Sequence, residues 1–154
     1  GGADKAVAKA AGKPIAELPA DELVKFGKQL YLAQGGNSCN DCHGVDGIKG
    51  RLATAANLTK PSTWKAWKAA GATEASVDDR VIAVIEKGAG AWNSAHPDDQ
   101  YDVQMLGAGQ GATKGELRKV TKTLKKSGFA LDKKERIGWA SKAIYAYVKT
   151  MSAE

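Results

Sequence analysis

Both cysteines of this chain lie in one pentapeptide, Cys39-Asn40-Asp41-Cys42-His43. Two thiols three positions apart on a helical turn can each add across one vinyl group of a porphyrin. The adjacent histidine then lies under the iron and supplies its proximal nitrogen. C-x-x-C-H is the attachment signal of a c-type haem for this reason. A macrocycle fixed by covalent bonds does not dissociate during turnover, so the run points to redox chemistry. Competing chemistries need partners that are hard to find here. A redox dithiol needs a strand–helix–strand setting, and no such pattern surrounds Cys39. Structural zinc needs four ligands, and beyond this run the chain offers no Cys and one further histidine, His96. A disulfide inside the tetrapeptide would close almost no loop and stabilise little.

A haem held this way leaves a sixth iron position, and three side chains compete for it. Met105 sits in Val103-Gln104-Met105-Leu106-Gly107-Ala108-Gly109, a loop-like run before the next capped helix, and is the leading candidate. A methionine can equally be a flexible gap-filler of the core. His96 precedes Pro97 and is the runner-up, although a polar loop histidine beside Asp98 and Asp99 is more often solvent-exposed. Met151 lies at the end of the last helix and is expected to pack. An open sixth site is the remaining option. Thioether sulfur favours ferrous iron and raises the reduction potential, two imidazoles leave it lower, and an open site admits small molecules.

These residues need elements to position them. Leu23, Phe26, Leu30 and, on the flank, Tyr31 recur at helical spacing, with Asp21 and Glu22 suited to the first turn of the helix dipole. Gly35-Gly36 ends that helix just before the haem motif. Gly44, Gly47 and Gly50 read as loop. Pro61 opens a short helix through Ala70, with Trp64 and Trp67 one turn apart. Ser76 is expected to cap the next helix, with Asp79 at its third position. Val81, Ile82, Val84 and Ile85 form its apolar face, up to Gly88. Residues 88–111 read as a long irregular stretch holding Trp92, His96, Tyr101 and Met105. Thr113 to Glu116 reads as a capping box for a helix with Leu117, Val120 and Leu124 inward and Gly128 at its end. Asp132 to Glu135 resembles the same box, opening a helix with Ile137, Ala140, Ile144 and Tyr147 or Val148 inward. The Ala-rich residues 3–11 could be helical, and no segment alternates as a strand. The expected fold class is all-α, with several helices around one covalently bound haem.

At 154 residues the chain is one domain by size. Residues 1–20 read as an N-terminal extension and 21–154 as the domain. No apolar run is long enough to span a bilayer. The formal charge is +6, which suggests acidic partners or electrostatic steering. Nucleic acid is not expected, because no binding motif accompanies the charge. Lys114, Arg118, Lys119, Lys122, Lys125 and Lys126 crowd one helix, and Lys60, Lys65 and Lys68 form a second basic group. Either is a docking face or a solvated one. The four tryptophans are expected in the core or against the haem, and one indole N–H is expected to reach a haem carboxylate.

The order of these parts resembles the class I cytochrome c family over residues 23–148, with gaps. Gly27-Lys28-Gln29-Leu30-Tyr31 ahead of Cys39 is similar to that family's first helix, whose glycine lets it cross closely over the last. Trp139 to Val148 is similar to the last helix, so Tyr145 or Tyr147 is expected against Gly27. Two departures stand out. The family usually has a proline soon after the proximal histidine, whose carbonyl holds that ring. Here the matching stretch is Leu52 to Leu58, and proline comes only at Pro61. The family's distal Met follows its middle helix closely, whereas Gly88-Ala89-Gly90-Ala91-Trp92 carries none, so 88–111 reads as a distal-loop insertion.

The resemblance implies a periplasmic, monomeric electron carrier, its leader removed, with one haem c on Cys39 and Cys42. His43 and Met105 would be the axial ligands. It would shuttle single electrons between redox proteins with acidic docking surfaces. Catalysis by the chain alone is not expected, since no nucleophile, base or second metal site assembles from the sequence. Two alternatives remain. One is a haem subunit of a respiratory or sulfur-compound dehydrogenase complex, motivated by the 88–111 segment. The other is a gas-binding haem protein with a labile sixth ligand.

Overall fold

The structure is a computed structural model and describes residues 12–102 and 104–154. The Ala-rich segment expected to be helical at 3–11 lies outside the described residues. Among the described residues, five α-helices carry the fold: α1 (Ala20–Tyr31), α2 (Cys39–His43), α3 (Glu74–Ala95), α4 (Gly111–Lys126) and α5 (Arg136–Lys149). Two short 3-10 turns, Pro61–Thr63 and Lys65–Lys68, replace the single helix expected after Pro61. The chain is mostly helical, but it also contains a two-residue parallel pair, β1 (Lys13–Pro14) against β2 (Phe129–Ala130). So short a pair has no room for the alternation that marks a strand in sequence.

The first and last helices cross at Gly27. A Cβ at that position would lie 1.8 Å from the Ala143 carbonyl oxygen and 3.1 Å from Tyr147 Cβ. Only hydrogen lets the two backbones meet this closely. Aromatic pairs flank the crossing, Phe26 with Trp139 at 6.1 Å and Tyr31 with Tyr147 at 5.4 Å, both edge-to-face. Tyr147 is thus the tyrosine at the crossing. Tyr145 turns away, its hydroxyl donating to Asp78 Oδ1 at 2.5 Å. Leu30, Tyr31, Val120, Leu124 and Ile144 are the fully buried centre.

Helix α3 departs most from expectation. Its cap is Thr73, not Ser76. Thr73 Oγ1 accepts from the Ser76 N–H while Ser76 Oγ accepts from the Thr73 N–H. The helix then continues past Gly88 to Ala95, so the first third of the stretch expected to be irregular is helical. Gly88 breaks it with φ 81° and ψ 165°, a conformation open essentially to glycine alone. Helices α4 and α5 begin at Gly111 and Arg136 without side-chain caps, so neither expected capping box forms. Thr113 is instead buried in the first turn of α4. Trp64 and Trp139 are buried, whereas Trp67 is exposed rather than packed inside.

Candidate cofactor site

Helix α2 is one and a half turns of Cys39-Asn40-Asp41-Cys42-His43, too short to stand alone. Its neighbours hold it. Asn40 Nδ2 donates to the carbonyls of Tyr31 at 2.7 Å and Ala33 at 3.0 Å, closing the open C-terminal end of α1. The Tyr31 hydroxyl, fully buried, donates back to the Gly44 carbonyl at 2.6 Å, just beyond His43. Asp41 Oδ2 accepts from the Asn37 N–H at 3.0 Å and from Arg51 Nε at 3.2 Å. These bonds hold its carboxyl below the usual carboxylate range. The two spacer residues of the motif are therefore structural members of the site.

Both thiols, His43 and Met105 line one cavity of about 370 Å³, a size ordinary for cofactor sites. Its walls are apolar. Val81, Val84 and Ile85 come from α3, Ile144 and Val148 from α5, and Trp64 from the turn between the 3-10 segments. Thr54, Lys65, Gln100, Asp102 and Gln104 add a polar stretch. A hydrogen bond of 2.8 Å from Thr54 Oγ1 to Asp102 Oδ2 ties together two loops that line the cavity.

His43 is held in one tautomer. Its Nδ1 lies 3.0 Å from the Ala56 carbonyl oxygen. A carbonyl can only accept, so Nδ1 carries the proton and Nε2 keeps its lone pair. Burial, partly offset by that hydrogen bond, lowers the ring's pKa, so it is neutral at pH 7. The carbonyl expected from a proline thus comes from an alanine of the stretch 52–58. A backbone oxygen leaves no side-chain signal in sequence. Burial pushes the Cys39 thiol up to about 12. Burial also raises the Cys42 thiol, against the opposing pull of Arg51, whose Nη2 is 3.7 Å from the sulfur.

Met105 reaches the cavity through the break in α3. In an unbroken helix the Ala89 N–H would bond to the Ile85 carbonyl. The Gly88 kink separates them and leaves one donor and one acceptor open. The Met105 carbonyl accepts the Ala89 N–H at 2.9 Å, and the Ala108 N–H donates to the Ile85 carbonyl at 2.8 Å. The segment bearing Met105 thus takes the place of the lost helical bond. Gly88 and Gly107 permit the approach: a Cβ on Gly88 would lie 2.7 Å from the Gly107 nitrogen.

The other candidate ligands go elsewhere. His96 does not line the cavity. Its ring stacks on Trp92 at 3.7 Å, and its Nδ1 lies 2.9 Å from the Trp92 carbonyl. The Met151 sulfur would be 2.7 Å from a Cβ on Gly47, in the loop after α2, as expected of a packing residue. Two of the four indoles already have acceptors: Trp64 donates to the Asn57 carbonyl and Trp92 to that of Asp99, both at 2.9 Å. Among the described residues, no three His, Cys, Asp or Glu side chains gather as a metal-binding group, and no helix is long and apolar enough to cross a membrane.

Chemically, this donor set fits a covalently held macrocycle. Two thiols on one helical turn, an oriented neutral imidazole and a thioether share an apolar cavity with one polar stretch. In comparisons with known proteins, no family model, no curated protein and no solved structure matches the chain.

Proposed function

We propose that the chain is a monohaem c-type cytochrome of the class I type, working as a periplasmic carrier of single electrons between redox proteins. The observation that carries this reading is the convergence of Cys39, Cys42, His43 and Met105 on one cavity, with His43 Nδ1 committed to the Ala56 carbonyl. Cys39 and Cys42 would form the two thioethers. His43 Nε2 and the Met105 sulfur would hold the iron. The haem, when bound, supplies a one-electron couple. The protein's part is to hold both ligands in place, so that little rearranges between oxidation states. The Ala56 hydrogen bond fixes the imidazole, and the kink-bound segment fixes Met105. The apolar wall excludes water.

Close packing of Gly27 against Ala143 supports the class I reading, because it is the helix crossing that the resemblance implies. The 88–111 segment folds back against the cavity rather than standing off as an arm, which favours a self-contained carrier over a subunit. Acidic redox partners follow from the formal +6 charge. On α4, Lys114, Arg118, Lys122, Lys125 and Lys126 are exposed and, among the described residues, form no ion pair. Lys65 is less available than expected, since it pairs with Asp99 at 3.5 Å.

The test is covalent haem itself. Protein made with a haem-attachment system should be one haem heavier than the chain and keep its colour after acid–acetone extraction. The Cys39→Ala/Cys42→Ala double variant should lose it. A colourless wild type, or haem extracted intact, would overturn the reading.

A further inference from the structure

The segment that carries Met105 is held chiefly by hydrogen bonds from α3, and two α3 side chains grip it where it reaches the cavity. Asn93 is 8% exposed and commits its whole amide to one neighbour. Its Nδ2 donates to the Tyr101 carbonyl at 2.9 Å, and its Oδ1 accepts the Tyr101 N–H at 2.7 Å. A side chain here supplies the paired bonds that an adjacent strand would give. The Asn93 carbonyl also accepts from Gln100 Nε2 at 3.2 Å. Arg80 grips the same residues from the other side of the Gly88 kink. Its Nε donates to the Tyr101 hydroxyl at 2.8 Å, and its Nη2 lies 2.6 Å from the Asp99 carboxylate. Its guanidinium lies 5.1 Å from the Trp92 ring and 5.3 Å from the Tyr101 ring.

We propose that Asn93 and Arg80 are positioning residues that seat Met105 on the iron, a role that rests on the haem reading above. Neither side chain lines the cavity, whereas Tyr101 and Met105 both do. Their bonds end on residues 99–101, just upstream of the ligand. Removing them takes no side chain out of the cavity wall and shifts the balance between seated and unseated Met105. Two hydrogen bonds of ordinary net strength correspond to about 30-fold in that balance.

The experiment uses ferrous holoprotein and carbon monoxide, which binds only when Met105 vacates the iron. In Asn93→Leu, covalent haem content is expected to match wild type while CO binding accelerates about 30-fold. The sulfur-to-iron band of the ferric form should weaken, and the Tyr101 amide should exchange faster with solvent. Haem content, CO rate and band all equal to wild type would overturn the assignment. Should Asn93→Leu not fold, Arg80→Lys serves. It keeps a charge opposite Asp99 but cannot span Asp99 and the Tyr101 hydroxyl together, so a smaller acceleration is expected and an unchanged rate overturns the role. Failure of the haem reading looks different. Wild type itself would then lack covalent haem or the sulfur band, and the proposed role would fall with it.

Discussion

Tyr31 shows how a single side chain joins the helix crossing to the C-x-x-C-H run. Its ring packs on Tyr147, and its hydroxyl closes the Gly44 carbonyl next to His43. Tyr31→Phe keeps the ring and leaves the Gly44 carbonyl with the Gly47 N–H alone, at 3.1 Å. The expected cost is about 1 kcal/mol, read as a lower urea midpoint of the holoprotein with unchanged slope. An unchanged midpoint would show that the bond contributes nothing net. Asn40, a spacer residue of the motif, is expected to matter as well. Asn40→Ala removes both donors to the end of α1 at a similar cost of about 1–2 kcal/mol, checked by the same titration. The motif itself was legible because its five residues are contiguous in sequence. Its supports were not. The Ala56 carbonyl and the backbone targets of Asn40 belong to main chain that any residue could supply.

At the scale of elements, two glycines set the geometry. Gly27→Ala would drive a methyl into the Ala143 carbonyl. The helices must part, at a cost of about 3 kcal/mol, read as a lower melting temperature of the holoprotein; a temperature equal to wild type would contradict the crossing. Gly88→Ala faces both a forbidden backbone conformation and the Gly107 nitrogen. The expected loss is about 1–3 kcal/mol, and because residues 105 and 108 fill the broken helical bond, it should come with a weaker sulfur-to-iron band. Full stability with a normal band would show that α3 bends without the glycine. The Gly27 crossing was readable from the resemblance, since glycine in an amphipathic helix beside the haem motif has few other uses. The helical turns 89–95 were not. Two nearby glycines, Gly88 and Gly90, read as loop, and the bonds that rescue the helix come from residues 16 to 23 positions away. The caps of α4 and α5 failed for a related reason. Tertiary packing of Thr113 and the turn at Asp132 overrode a local pattern.

For the whole molecule the governing quantity is charge. A formal +6 stays positive after the two carboxylates of a haem are added. Reduced protein should therefore be oxidised by anionic ferricyanide at a rate that falls with ionic strength, and by a cationic cobalt complex at a rate that rises. The effect should fade above about 0.1 M salt, where the screening length drops to roughly 10 Å. Identical salt dependence for both reagents would contradict steering by net charge.

The central claim, that His43 and Met105 share one iron, has a direct optical test. In the near-red absorption of the ferric holoprotein, a sulfur-to-iron charge-transfer band is expected in wild type, unchanged in His96→Ala and absent in Met105→Ala. A wild type without the band, or a band that survives Met105→Ala, would contradict the account.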